Sequence, residues 1–94
     1  LKQMQLLSGL SDHTVYWLGA MLEKNKQYRE AVRMYGMYAK LFPNGMMRAR
    51  TLYAAHIILK DRLSHHDKAD VALKILRKAY PGFKLQKTPE TLHQ

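Results

Sequence analysis

The chain has 94 residues, 47% of them apolar, no cysteine, and 16 Lys and Arg against seven Asp and Glu, for a net charge of +9. That length suits one small domain with a marginal core, and the apolar content with few glycines and prolines argues against disorder over most of it. No disulfide or thiolate metal site can form, and no apolar run approaches the ~18 residues of a membrane span.

The charge predisposes the surface to polyanions: nucleic acid, an anionic membrane or an acidic protein. Its cations are scattered without a run of five, so a solvated basic surface is expected, binding nucleic acid only weakly and without sequence preference. No charged start followed by an apolar stretch and cleavage site marks a secretory leader. A cytoplasmic location, or the cytoplasmic domain of a larger protein, is the expectation. The first residue is Leu1, which admits a fragment of something longer.

Residues 1–10 carry Met4, Leu6, Leu7 and Leu10, with Gly9 where a helix would stop. They read as a cap or as the remnant of a preceding unit. Ser11-Asp12 offers an N-cap, and the first full helix is expected over 12–24. Val15, Leu18, Gly19 and Leu22 form its apolar stripe at helical spacing. A second helix is expected over 28–42, with Ala31, Tyr35, Tyr38, Ala39 and Phe42 inward, closed by Pro43-Asn44-Gly45. A third is expected over 47–63 on Leu52, Ala55, Leu59 and Leu63. The fourth, over 68–80, follows a turn at Ser64–Asp67, with the cap at His66 or Asp67 and Ala69, Ala72, Leu73, Leu76 and Tyr80 inward. After Pro81-Gly82, Phe83 and Leu85 should dock on the last hairpin and the end of the tail should fray.

Ala69, Leu73 and Pro81 repeat Ala31, Tyr35 and Pro43 at identical spacing. Together with Leu18-Gly19 this resembles the tetratricopeptide repeat, a helix–turn–helix of about 34 residues with the pattern W-x2-L-G-x2-Y, A-x3-F and a closing Pro. The match departs at Val15 and Leu22, where the pattern has tryptophan and tyrosine. The resemblance implies an all-α fold of antiparallel helical hairpins stacked as a short right-handed superhelix. One repeat would span 12–43 and a looser one 46–81, with a tail over 83–94. In the second unit the leucine-small pair is ambiguous, and Ala54-Ala55 is the favoured register. Within the first unit, Gly19 and Ala31 are expected to meet as a small-on-small contact between helices. A two-unit stack leaves apolar ends, Trp17 and Met21 among them, to be covered by residues 1–10, a preceding repeat or a second copy.

The resemblance also implies a non-enzymatic scaffold that holds a partner peptide or helix on the concave side, without a cofactor. In the favoured register that side presents Tyr16, Ala20 and Lys24 from the first helix and Leu52, His56 and Lys60 from the third. Tyr16, Leu52 and His56 would form the floor and the lysines the edge, suiting an apolar-acidic segment or a C-terminal carboxylate. The family's chaperone-tail clamp needs Lys and Asn where this chain has Tyr16 and Ala20, so that specialisation is not implied. The alternative is a nucleic-acid-binding basic helical repeat, which would want aromatics facing out among the lysines. The tyrosines of the second and fourth helices fall on inward faces instead. No carboxylate pair or nucleophile constellation suggests catalysis, and adjacent His65 and His66 point apart rather than toward one metal.

Overall fold

The structure, a computed structural model, describes residues 11–83. Four helices follow one another: α1 (Asp12–Lys24), α2 (Tyr28–Leu41), α3 (Arg48–Asp61) and α4 (His66–Ala79). No strand occurs among the described residues. Each helix packs on the next, α1 on α2, α2 on α3 and α3 on α4. The short connections make neighbours antiparallel, an arrangement compatible with stacked hairpins. The fold class is all-α, as the apolar periodicity indicates. The expected cap at residues 1–10 and the docking of Leu85 lie outside the described residues.

The helix ends have local causes. Ser11 caps α1, its hydroxyl accepting from the Thr14 N–H at 3.2 Å. Helices α2 and α4 each end one residue earlier than expected. Phe42 (φ −125, ψ 71) and Tyr80 (φ −134, ψ 69) leave helical geometry because each precedes a proline, whose ring disfavours α backbone before it. Helix α3 starts one residue after Met47 and stops at Asp61 rather than Leu63. Helix α4 begins at His66, earlier than expected, with His65 at its N-cap and no side-chain cap bond. Asp67 sits instead in the first turn, where its charge favours the positive end of the helix dipole.

Two turns show how the hairpins correspond. Lys26 (φ 63) and Ser64 (φ 57) both take left-handed backbone, the usual way to close a helix with its last carbonyls satisfied. The Gln27 N–H bonds the Leu22 carbonyl at 2.9 Å, and the His65 N–H bonds the Leu59 carbonyl at 2.7 Å. Immediately afterwards the Ala31 N–H bonds the Gln27 carbonyl, and the Ala69 N–H the His65 carbonyl, both at 2.9 Å. Leu22 therefore matches Leu59, with one extra residue in the second turn. Counting back along the helices, Gly19 matches His56, Tyr16 matches Tyr53 and Val15 matches Leu52. The second unit is thus shifted one residue from the Ala54-Ala55 register.

Packing explains the shift. Gly19 admits the ring of Tyr35: a methyl built on Gly19 would lie 2.6 Å from Tyr35 Cε1. The close approach is glycine-on-aromatic rather than the expected Gly19–Ala31 contact. In the second hairpin no small residue is used. His56 fills the position and hydrogen-bonds the Ala69 carbonyl at 2.8 Å through Nδ1. A carbonyl only accepts, so this nitrogen carries the proton. Around these contacts the core closes in two clusters. One joins Ala31, Tyr35, Ala55 and Ile58; the other joins Val15 and Tyr38.

Candidate functional site

Helix α1 presents Tyr16, Ala20 and Lys24 along one row, in the expected order. Tyr16 is half-buried and packs against both core clusters. Its ring lies 6.0 Å from Tyr35 and meets Trp17 edge-on at 6.4 Å. Ala20 is partly covered and Lys24 is exposed in the last turn, where a cation suits the negative helix end. Beside them Glu23 accepts a 2.9 Å hydrogen bond from the Tyr35 hydroxyl, whose pKa is raised by burial first and by that carboxylate second. The row therefore rests on a fixed floor.

Helix α3 departs from the expectation. Leu52 and His56 are 7% and 8% exposed, buried rather than lining an open groove, with the His56 Nδ1 bonded to the Ala69 carbonyl of α4. Lys60 is exposed as anticipated. In the corrected register the residues matching Tyr16 and Ala20 are Tyr53 and Ile57, both partly exposed. Tyr53 stacks on His56 at 6.3 Å and meets Phe83 at 6.0 Å, so Phe83 docks on the last hairpin as its sequence position suggests. The signal for Tyr53 and Ile57 was present but masked. The spacing Val15, Gly19, Leu22 recurs as Leu52, His56, Leu59, with a histidine where a small residue was sought.

Other exposed features frame this face. Trp17 and Met21 are 60% and 58% exposed, and Leu18, expected in the core stripe, is 36% exposed. All three lie on the side of α1 turned away from α2. The outer faces of α2 and α4 carry exposed Arg29, Arg33 and Lys40, and Lys68, Lys74, Arg77 and Lys78. Two cations are held elsewhere: the Arg48 Nε–H donates to the Ala39 carbonyl at 3.0 Å, and the Arg62 guanidinium sits 5.4 Å over the Tyr28 ring. A crevice of about 400 Å³ between α2, α3 and α4 has Val32, Leu59 and Leu63 below Arg29, His65 and Lys68. Next to it, Ser64–Lys68 line a second depression of about 420 Å³. No three potential metal ligands converge among the described residues, nor is any helix there long and apolar enough to cross a membrane.

Tyr38 is fully buried. It belongs to the frame of this face. Its hydroxyl donates to Asp12 Oδ2 and accepts from the Met47 N–H, each at 2.9 Å. Burial pushes its pKa up to about 12, while its hydroxyl holds Asp12 below the ordinary carboxylate value.

Compared with protein-family models, curated proteins and solved structures, the chain matches none.

Proposed function

We propose that this domain is a tetratricopeptide-like interaction module, a non-enzymatic scaffold holding a partner peptide or helix along the row shared by α1 and α3. The observation that carries this reading is the correspondence of two rows, Tyr16-Ala20-Lys24 on α1 and Tyr53-Ile57-Asp61 on α3, with Lys60 beside the second. Each row puts an aromatic and a small or aliphatic group beside charged ends, the mixture by which grooves hold short peptides. The aromatics are anchored from behind, Tyr16 by Tyr35 and Tyr53 by His56 and Phe83. Little side-chain freedom would then be lost on binding. An apolar segment with acidic ends fits best against Lys24 and Lys60, in a cytoplasmic setting.

The test is affinity capture with the full chain and with Ile57→Lys, each with and without nuclease. A protein partner retained after nuclease and lost with Ile57→Lys supports the reading. A partner that survives Ile57→Lys would move the site off this face. The second reading, a nucleic-acid-binding helical repeat, is favoured by the exposed cations of α2 and α4. Tyr35 and Tyr38 are buried, and the rings of Tyr28 and Tyr80 are already covered by Arg62 and Arg48. That leaves those cations no free stacking platform, so only a salt-sensitive, sequence-independent association is expected. Sequence-selective binding that survives physiological salt would reverse the ranking.

A further inference from the structure

The register that relates the hairpins also gives a meaning to the bare side of α1. Trp17, Leu18 and Met21 occupy the positions that Ala54, Ala55 and Ile58 occupy on α3. On α3 that side is an interface: Ala55 and Ile58 are 7% and 1% exposed and close on Ala31 and Tyr35 of α2, with Ala54 packed against them. On α1 the matching residues are 60%, 36% and 58% exposed. Among the described residues, one surface of the hairpin is thus filled in the second and open in the first.

We infer that this side of α1 is a docking surface whose occupant is an acidic amphipathic helix of another protein, lined with small residues. The helical form follows from the equivalence, because the occupant of the same surface on α3 is the antiparallel helix α2. The small residues follow from volume. Trp17 and Leu18 stand where α3 has two alanines, and helix separation is set by the side chains at the contact. Bulk on α1 therefore requires alanine or glycine opposite, the trade that Gly19 already makes beneath Tyr35. The acidic character follows from charge. Both carboxylates of α1 keep their charge but are turned toward α2, where Asp12 accepts from Tyr38 and Glu23 from Tyr35, so neither lies on the Trp17 side. His13 and Lys24, four residues before and seven after Trp17 on the same row, are exposed; His13 lies 3.4 Å from Asp12.

The other occupants fit less well. A second copy would bring another net charge of +9 to the contact, and its α2 stripe is already enclosed by its own α1 and α3. Residues 1–10 contain no acidic residue, and their two small residues, Ser8 and Gly9, are adjacent and so cannot make a stripe at helical spacing.

The probe is a side-chain-bridged synthetic helix of about 16 residues with an alanine-glycine stripe and a glutamate polar face, beside a copy with lysines in place of the glutamates. Trp17 is the sole tryptophan, so its emission in the full chain reports the contact directly. We expect a saturable blue shift with the glutamate helix, roughly tenfold tighter than with the lysine helix at low salt, and roughly tenfold weakening by Met21→Lys. If Met21→Lys melts early, Leu18→Gln serves the same purpose. Ile57→Lys should leave this binding unchanged, which separates it from the proposed α1–α3 row. Emission that stays constant to millimolar peptide would overturn the inference, as would binding indifferent to Met21→Lys. So would a Trp17 already blue-shifted in the chain alone, with sedimentation then telling a second copy from the chain's own N-terminal segment.

Discussion

Two glycines inside helices should answer the same substitution with opposite signs. A methyl on Gly19 would strike the Tyr35 ring at 2.6 and 2.7 Å. That ring is fixed by its bond to Glu23 and by burial, so it cannot yield without opening the α1–α2 contact. Gly19→Ala is expected to destabilise the domain by about 1–3 kcal/mol, the usual range for overpacking. Gly36 is exposed in the middle of α2, has no neighbour within 4 Å of an added methyl and has no positive φ. Gly36→Ala should therefore stabilise by about 0.5–1 kcal/mol through reduced backbone entropy in the unfolded chain. Urea melts of the two variants decide the matter. If Gly19→Ala is neutral, the glycine-on-aromatic account of the first hairpin is wrong.

Among the helices, the Tyr38 hydroxyl is the tie that joins three of them: its own α2, Asp12 at the start of α1 and Met47 at the start of α3. Tyr38→Phe keeps the ring but leaves the Met47 N–H without its partner, at an expected cost of about 1–3 kcal/mol. The pH dependence carries a signature. Asp12 has its pKa lowered on folding, so its contribution is complete above the ordinary value of 3.8 and fades as pH falls through the folded value. Tyr38 has its pKa raised, so its contribution is complete below 10.0 and is lost as pH climbs toward about 12. Melting curves from pH 2 to 6 should fall less steeply for Tyr38→Phe than for wild type. An identical acid slope would show that Asp12 gains nothing from the hydroxyl. The sequence made these elements legible, because stripes at i, i+3, i+4 and proline stops act within one helix. It could not show that Tyr38 reaches Asp12 across 26 residues, since no local pattern encodes which hydroxyl meets which carboxylate.

For the whole molecule, the surface row of α1 was legible, whereas the row assigned to α3 lay one residue out of register. Tyr16, Ala20 and Lys24 were placed by a glycine that marks the register. The second hairpin has no such marker, because a hydrogen-bonded histidine does the glycine's work, so Leu52 and His56 were assigned to a surface they do not reach. Charge is a property no single helix decides. Among the described residues no lysine or arginine is paired with a carboxylate, and the His13–Asp12 contact at 3.4 Å is an ion pair only when the histidine is protonated. The lysines and arginines mostly stand unneutralised on the outer faces. A 14-residue helix is about 21 Å long, and the Debye length is ~30 Å at 0.01 M salt but ~8 Å at 0.15 M. At low salt, repulsion between the cations of α2 and those of α4 therefore acts across the whole fold, and at physiological salt it is largely confined to nearest neighbours. The folded state gathers these charges more closely than the unfolded chain, so screening should stabilise it. We expect the melting temperature to rise from 0.01 to 0.15 M sodium chloride and then to level off. The rise should shrink in a variant with Arg33, Lys40 and Lys74 changed to glutamine, all three exposed. A melting temperature that falls with salt would mean that favourable charge contacts outweigh the repulsion, and would take from the outer faces the free positive field on which the weak polyanion binding rests.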